Sequence, residues 1–295
     1  MTDIEVIEKI SKASKPSDIF PDTEWKKTYI SYSNLIHPDR NDNPLAAKAM
    51  TKMNEFKEIV ENGIEYIDES GPFRVFDKRV EYKVTNENKN LLKKSYSNYL
   101  TLMKSKDAAA QNFQKYLPER MELNDDKLIV HLKDRAVPLT NKCLPQIHVN
   151  WIFSRLFEIG LWFHQINYSH LGLNPTTVFV VPETHGIIII SFYHMTFLGK
   201  KVETISAKYK AWYPTNLFSK KIATPDIDLE LSKKIALYLL GDRSAAGTKL
   251  KMDKTINKNL LNFLLIKHEN IYDNFTSYRD LLKKNFETKF YSLDL

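Results

Sequence analysis

Apolar residues return every three or four positions through the first sixty residues of the chain. Ile4, Ile7 and Ile10 fall on one face, which predicts a short amphipathic helix over residues 3–13. Lys15-Pro16-Ser17 breaks it. Asp22 or Thr23 then offers an N-cap, with Glu24 in the first turn of a second helix. Trp25, Tyr29, Tyr32 or Ser33, and Ile36 line one side of that helix, while Lys26, Lys27 and Ser31 lie mostly elsewhere. Pro38 ends it, because proline lacks an N–H and restrains the residue before it. A third helix opens near Pro44 and carries Leu45, Ala49, Met53, Phe56 and Val60 as its apolar face. Asn62-Gly63 is its stop. The pattern predicts a helical hairpin whose loop reads His37-Pro38-Asp39.

Beyond residue 68 the period changes. Asp68-Glu69-Ser70-Gly71-Pro72 is rich in turn residues. Phe73–Phe76 and Val80–Val84 alternate as strands do, with Asp77-Lys78-Arg79 as the turn between them. Residues 88–104 and 106–117 have helical or mixed patterns, and Lys127–Leu132 reads as a strand. Asp134–Leu139 is a polar connection containing Pro138. A long helix follows over His148–Ile166, with Ile152, Leu156, Ile159 and Phe163 inward. The apolar runs Val178–Pro182 and Ile187–Ile190 are buried strands, and helices return at about 226–241, 254–267 and 275–286. Strands first and mostly helices later is an α+β order.

Composition adjusts this picture in three ways. A chain of 295 residues with 43% apolar residues can hold two domains with real cores. Cys143 is the only cysteine, so no internal disulfide framework is expected, and a small apolar role suits it. There is no basic-plus-apolar leader, and no apolar run approaches the roughly 18 residues that span a bilayer. We therefore expect a soluble, cytoplasmic protein with no membrane partner. Charge is uneven: residues 1–68 carry 9 basic and 13 acidic residues, and residues 69–295 carry 34 and 23. The basic excess could draw nucleic acid or an acidic surface. The lysines read as dispersed, in pairs such as Lys93-Lys94, Lys200-Lys201, Lys220-Lys221 and Lys283-Lys284, which favours a solvated surface over nucleic acid. His131, His148, His164, His170, His185 and His194 show no metal-ligand spacing, and Trp151, Trp162 and Trp212 read as packing residues.

Residues 3–62 resemble the J-domain of the DnaJ co-chaperone family. The second helix ends Leu35-Ile36-His37-Pro38-Asp39-Arg40, and the third carries Met53-Asn54-Glu55-Phe56. The resemblance implies that His37, Pro38 and Asp39 contact a DnaK-type chaperone and stimulate its ATP hydrolysis. Lys26, Lys27 and Arg40 would form the basic face beside them, less basic here than the family's, because Glu24 is near and Ser31 and Ser33 take solvent positions.

Residues of about 70–290 resemble the protein-kinase fold. A long helix leads to Tyr168-Ser169-His170-Leu171-Gly172-Leu173-Asn174-Pro175-Thr176-Thr177, similar to a kinase catalytic loop. His170 matches the loop histidine, but Gly172 stands for the catalytic-base aspartate and Thr177 for the metal-binding asparagine. Ser191-Phe192-Tyr193 occupies the Asp-Phe-Gly position, so Ser191 replaces the second metal-binding aspartate. Tyr213-Pro214-Thr215-Asn216 resembles the end of an activation segment, and Asp226 the aspartate that opens the large C-lobe helix. There is no Gly-x-Gly-x-x-Gly loop and no Val-Ala-Ile-Lys strand, and Lys83 reads as solvent-facing. Kinase catalysis rests on positioning and metal-borne charge neutralisation. Glycine cannot accept a proton, and neutral hydroxyls hold magnesium poorly.

The expectation is a multidomain chain: an all-α J-domain helical hairpin over residues 1–66, then an α+β, protein-kinase-like bilobal domain over 67–295. Its function would be that of a co-chaperone or adaptor, with no catalytic residue, metal or cofactor of its own. The chaperone would bind through the first domain, and an unidentified client or assembly partner through the second. Two alternatives stay open. One is a structural or assembly protein of phage or viral origin, acting in the host cytoplasm. The other is an unconventional kinase.

Overall fold

The computed structural model describes residues 1–21, 24–107, 109–267, 271–287, 289, 291–293 and 295. The chain is a mixed α+β fold. It divides into two compact units: residues 1–66 with 73–81, and residues 67–72 with 82–295.

Three helices dominate the first unit: α1 (Asp3–Lys12), α2 (Trp25–Ile36) and α3 (Ala46–Asn62). A capping box starts α1: the Thr2 hydroxyl accepts the Glu5 N–H at 3.3 Å, and the Glu5 carboxylate accepts the Thr2 N–H at 2.8 Å. The expected caps Asp22 and Thr23 lie outside the described residues. The core gathers Val6, Ile7, Ile10, Tyr32, Ile36, Ala49, Met53 and Phe56, with Ile19 and Phe20 from the α1–α2 connection. Two positions depart from the expected apolar faces. Ile4 is 57% exposed and Leu45 54% exposed. Val6 and Ala46 are buried instead, which rotates each stripe toward its neighbours. Pro44 and Leu45 form a turn ahead of α3. Gly63 ends α3 at φ +67, a left-handed value that favours glycine, and the Phe76 ring would lie 3.2 Å from an added Cβ.

Five strands follow α3 in the chain: β1 (Ile64–Asp68), β2 (Gly71–Val75), β3 (Arg79–Lys83), β4 (Arg120–Leu123) and β5 (Lys127–His131). Strands β4 and β5 are an antiparallel hairpin with Met121 opposite Val130. The Asn124 side chain accepts the N–H groups of Asp126 at 2.9 Å and Lys127 at 2.7 Å, which shapes its turn. Helix α4 spans Lys89–Met103. The mixed pattern at 106–117 resolves into the single turn α5 (Ala110–Phe113) and a 3-10 turn over Gln114–Tyr116.

Helix α6 (Gln146–Gln165) is the spine of the second unit, and Ile152, Leu156, Ile159 and Phe163 are buried as its period requires. It packs against α8 (Pro225–Leu239). The connection at 134–139 hides a two-residue strand, β6 (Val137–Pro138), paired with β8 (Val178–Val181), which pairs in turn with β9 (Gly186–Ile189). Strands β7 (Tyr168–Ser169) and β10 (Thr196–Phe197) form a second small sheet. Helices α7 (Thr215–Lys220), α9 (Lys258–Leu265) and α10 (Ile271–Asn285) complete the unit. Trp162 and Trp212 are buried and Lys83 is exposed, as expected. Cys143 is exposed, so it is not the small core residue that composition suggested. Among the described residues, no helix is long and apolar enough to cross a membrane.

Candidate functional site

Two loops carry the residues singled out by sequence. The first closes the hairpin. Ile36 is fully buried at the end of α2, and Pro38, Asp39 and Arg40 stand out in solvent immediately after it. The His37 N–H still donates to Ser33 O at 3.0 Å, and Arg40 N–H donates back to His37 O at 2.9 Å, so the tripeptide is folded as a tight turn. The Asp39 N–H donates to His37 Nδ1 at 3.3 Å. A neutral ring that accepts at Nδ1 carries its proton on Nε2.

Asn41, absent from the sequence argument, ties this turn to two helices. Its amide donates to Leu35 O at 2.8 Å and to Asp3 Oδ2 at 2.9 Å. Its Oδ1 accepts the Asn43 N–H at 2.9 Å, and Asn43 Oδ1 accepts the Leu45 N–H at 3.0 Å. Two asparagines at a spacing of two are a legible signal of successive Asx turns. Lys26 and Lys27 are exposed on α2: Lys26 sits 5.5 Å from the Trp25 ring centre, and Lys27 pairs with Glu24 at 2.8 Å. Ile30 and Leu35, 60% and 37% exposed, share the solvent side of α2, so this surface is only partly basic.

The second loop follows β7 and is buried throughout residues 169–182. A carboxylate from α8 holds it. Asp228 accepts the Ser169 hydroxyl at 3.0 Å, the His170 N–H at 2.7 Å and the Leu171 N–H at 2.8 Å. Asp226, the residue chosen from sequence, is not the one that does this. A step of two along a helix turns the side chain to the other side. Burial pushes the Asp228 carboxyl up to about 6 despite its three donors. Leu171 adopts φ +60, rare for a branched residue, and its carbonyl accepts the Tyr213 hydroxyl at 2.5 Å.

The four positions picked for chemistry are brought together here. The Gly172 N–H donates to His170 Nδ1 at 3.2 Å, which leaves Nε2–H to donate to Ser191 O at 2.9 Å. Burial drives His170 down to about 3, so the ring is neutral and structural. The Thr177 hydroxyl donates to Gly172 O at 2.8 Å. Ser191 Oγ is buried without a hydrogen-bond partner. A Cβ on Gly172 would lie 2.8 Å from the ring of His194, itself buried and held by Thr204 at 2.9 Å. That distance leaves no room for a longer side chain unless His194 moves.

A third arrangement was invisible in sequence. Asp68, at the β1–β2 turn, accepts the hydroxyls of Tyr193 at 2.5 Å and Tyr82 at 3.2 Å, with the Ser70 N–H at 2.7 Å. Burial raises its carboxyl to about 6. The neighbouring Glu69 accepts the Ser206 hydroxyl. An acidic turn therefore grips the segment after Ser191. Elsewhere, His148 Nδ1 and His185 Nε2 meet at 3.2 Å although 37 residues apart. Among the described residues, no three His, Cys, Asp or Glu side chains converge as metal ligands. A cavity of about 370 Å³ bounded by Tyr116, Lys133, Arg155 and Ile188 touches none of the four loop positions. A scan against protein-family models matches none, and a search of curated proteins finds no significant relative.

Proposed function

We propose that this protein is a J-domain co-chaperone whose hairpin recruits a DnaK-type chaperone and stimulates its ATP hydrolysis. The observation that carries the reading is the His37-Pro38-Asp39 turn. Pro38 and Asp39 are exposed and His37 half-buried after the end of α2, and Asn41 fixes the chain that follows to Leu35 and Asp3. A motif used for recognition needs solvent access and a fixed shape, since pre-organisation reduces the ordering cost of binding. Lys26, Lys27 and Arg40 supply modest positive charge that steers more than it binds.

The larger unit reads as a kinase-like domain without phosphoryl transfer. In support, the loop residues spend their hydrogen bonds on one another, and His194 fills the space next to Gly172. The carboxylates of Asp68 and Glu69 accept the hydroxyls of Tyr193 and Ser206, so they too are occupied within the unit. This domain would place the chaperone on its client or in an assembly. The test is chaperone ATP turnover measured with the full chain and with His37→Gln. A loop-dependent stimulation supports the reading, and equal rates with both proteins remove it.

A further inference from the structure

Two of the lysine pairs that look dispersed in sequence, Lys200-Lys201 and Lys220-Lys221, are brought together by the fold. Residues 197–223 hold six lysines and one acidic residue. That acid, Glu203, is already paired with Lys94 at 3.0 Å. Two short antiparallel stretches bring the pairs together: Val202 N–H donates to Lys221 O at 2.8 Å, and Ala223 N–H to Lys200 O at 2.9 Å. Lys201 stands directly opposite Ile222 across this bridge. Residues opposite each other project to the same side.

Apolar side chains are exposed on these stretches and on the elements that flank them, β10 and α7. Phe197 is 48% exposed, Phe218 40% and Ile222 40%. Phe197 is fixed by stacking on Tyr168 at 4.2 Å, and Lys210 sits 5.7 Å from the Phe218 ring centre. Lys221 caps α7 in a left-handed conformation at φ +53, where glycine or asparagine would cost less. Its side chain is exposed, next in sequence to the exposed Ile222.

We propose that this face docks the protein on an anionic phospholipid surface. Three observations choose lipid over other anionic partners. The segment contains no arginine, the residue suited to bidentate carboxylate or phosphate recognition and enriched at protein interfaces. Lysine acts as a non-directional point charge, which suits a laterally mobile layer of headgroups. Tyr168 covers one face of the Phe197 ring and Ile222 has no π-face, which disfavours base stacking of single-stranded nucleic acid. Lysines with interspersed large apolar residues fit the headgroup–acyl boundary. The lack of a spanning segment bears on crossing a bilayer, not on resting against one.

The test uses the full chain and sedimentation with phosphatidylcholine vesicles, with and without phosphatidylserine. The protein should pellet only with phosphatidylserine, and less at high salt. Since each lysine near such a surface contributes about a fivefold gain, Lys200→Glu with Lys201→Glu should weaken partitioning by roughly thirtyfold or more. Phe218→Ser with Ile222→Ser should weaken it by about tenfold. Both variants alter exposed side chains, so their melting should match wild type. Neither should change chaperone ATP turnover without vesicles, which separates this proposal from the co-chaperone reading. No pelleting with phosphatidylserine overturns the proposal, as does equal pelleting with phosphatidylcholine alone. Variants that pellet like wild type also overturn it. Capture of single-stranded RNA or polyglutamate in place of vesicles assigns the face to another partner.

Discussion

Gly172 shows how tightly the buried loop is packed. A Cβ there meets the His194 ring at 2.8 Å, and both groups are buried. Gly172→Ala should therefore cost about 1–3 kcal/mol, the usual range for overpacking a filled interior. The same change in a His194→Ala background should cost much less, and a double-mutant cycle by denaturant unfolding measures the difference. His170 makes a second prediction. Its folded value is about 3 against an ordinary 6.5, so the unfolded chain takes up a proton that the folded chain refuses. Stability from this histidine is present above about pH 6.5 and declines as pH falls toward 3. Asp68 and Asp228, raised to about 6, act in the opposite sense, because their folded forms are protonated more readily than the unfolded chain. Comparing variants isolates the histidine: between about pH 7 and pH 5, His170→Gln should lose about 2 kcal/mol less than wild type. Equal pH slopes would show that the ring is not held neutral.

Elements with a clear period were legible in sequence, and those set by partners were not. The stripe Ile152, Leu156, Ile159, Phe163 announced α6, and the runs at 178 and 187 announced β8 and β9. Strand β6 has two residues and exists only because β8 lies beside it, so no local pattern could reveal it. Strand β1 was missed because Ile64 and Ile67 are exposed, which breaks the alternation, and β4 because its alternation lasts only four residues. Asp228 was displaced by two residues, since sequence marks where a helix begins but not which acid faces a loop. The Asp68–Tyr193 contact joins positions 125 apart in sequence and was out of reach. The tripeptide turn itself was legible; Asn41 carried the signal of an Asx turn, but its bonds to Leu35 and Asp3 were not readable. Asn41→Ala removes bonds from the turn to Leu35 and Asp3. It should lower stability by about 1 kcal/mol and reduce chaperone stimulation by more than that loss explains. A drop in melting with full stimulation would show that the turn needs no such anchor.

At the scale of the whole molecule, the proposal divides labour between the two units. The smaller presents an exposed, pinned His37-Pro38-Asp39 turn. In the larger, His170, Gly172, Thr177 and Ser191 are tied together by buried hydrogen bonds. A basic-apolar face on that unit supplies a means of placement. In this account the only ATP hydrolysis is the partner's. The most direct measurement is steady-state ATP turnover by a DnaK-type chaperone with wild-type protein and with His37→Gln, at matched concentrations and verified folding. The account predicts stimulation by wild type and a return to the basal chaperone rate with the variant. Equal turnover with wild type, the variant and no added protein would contradict it.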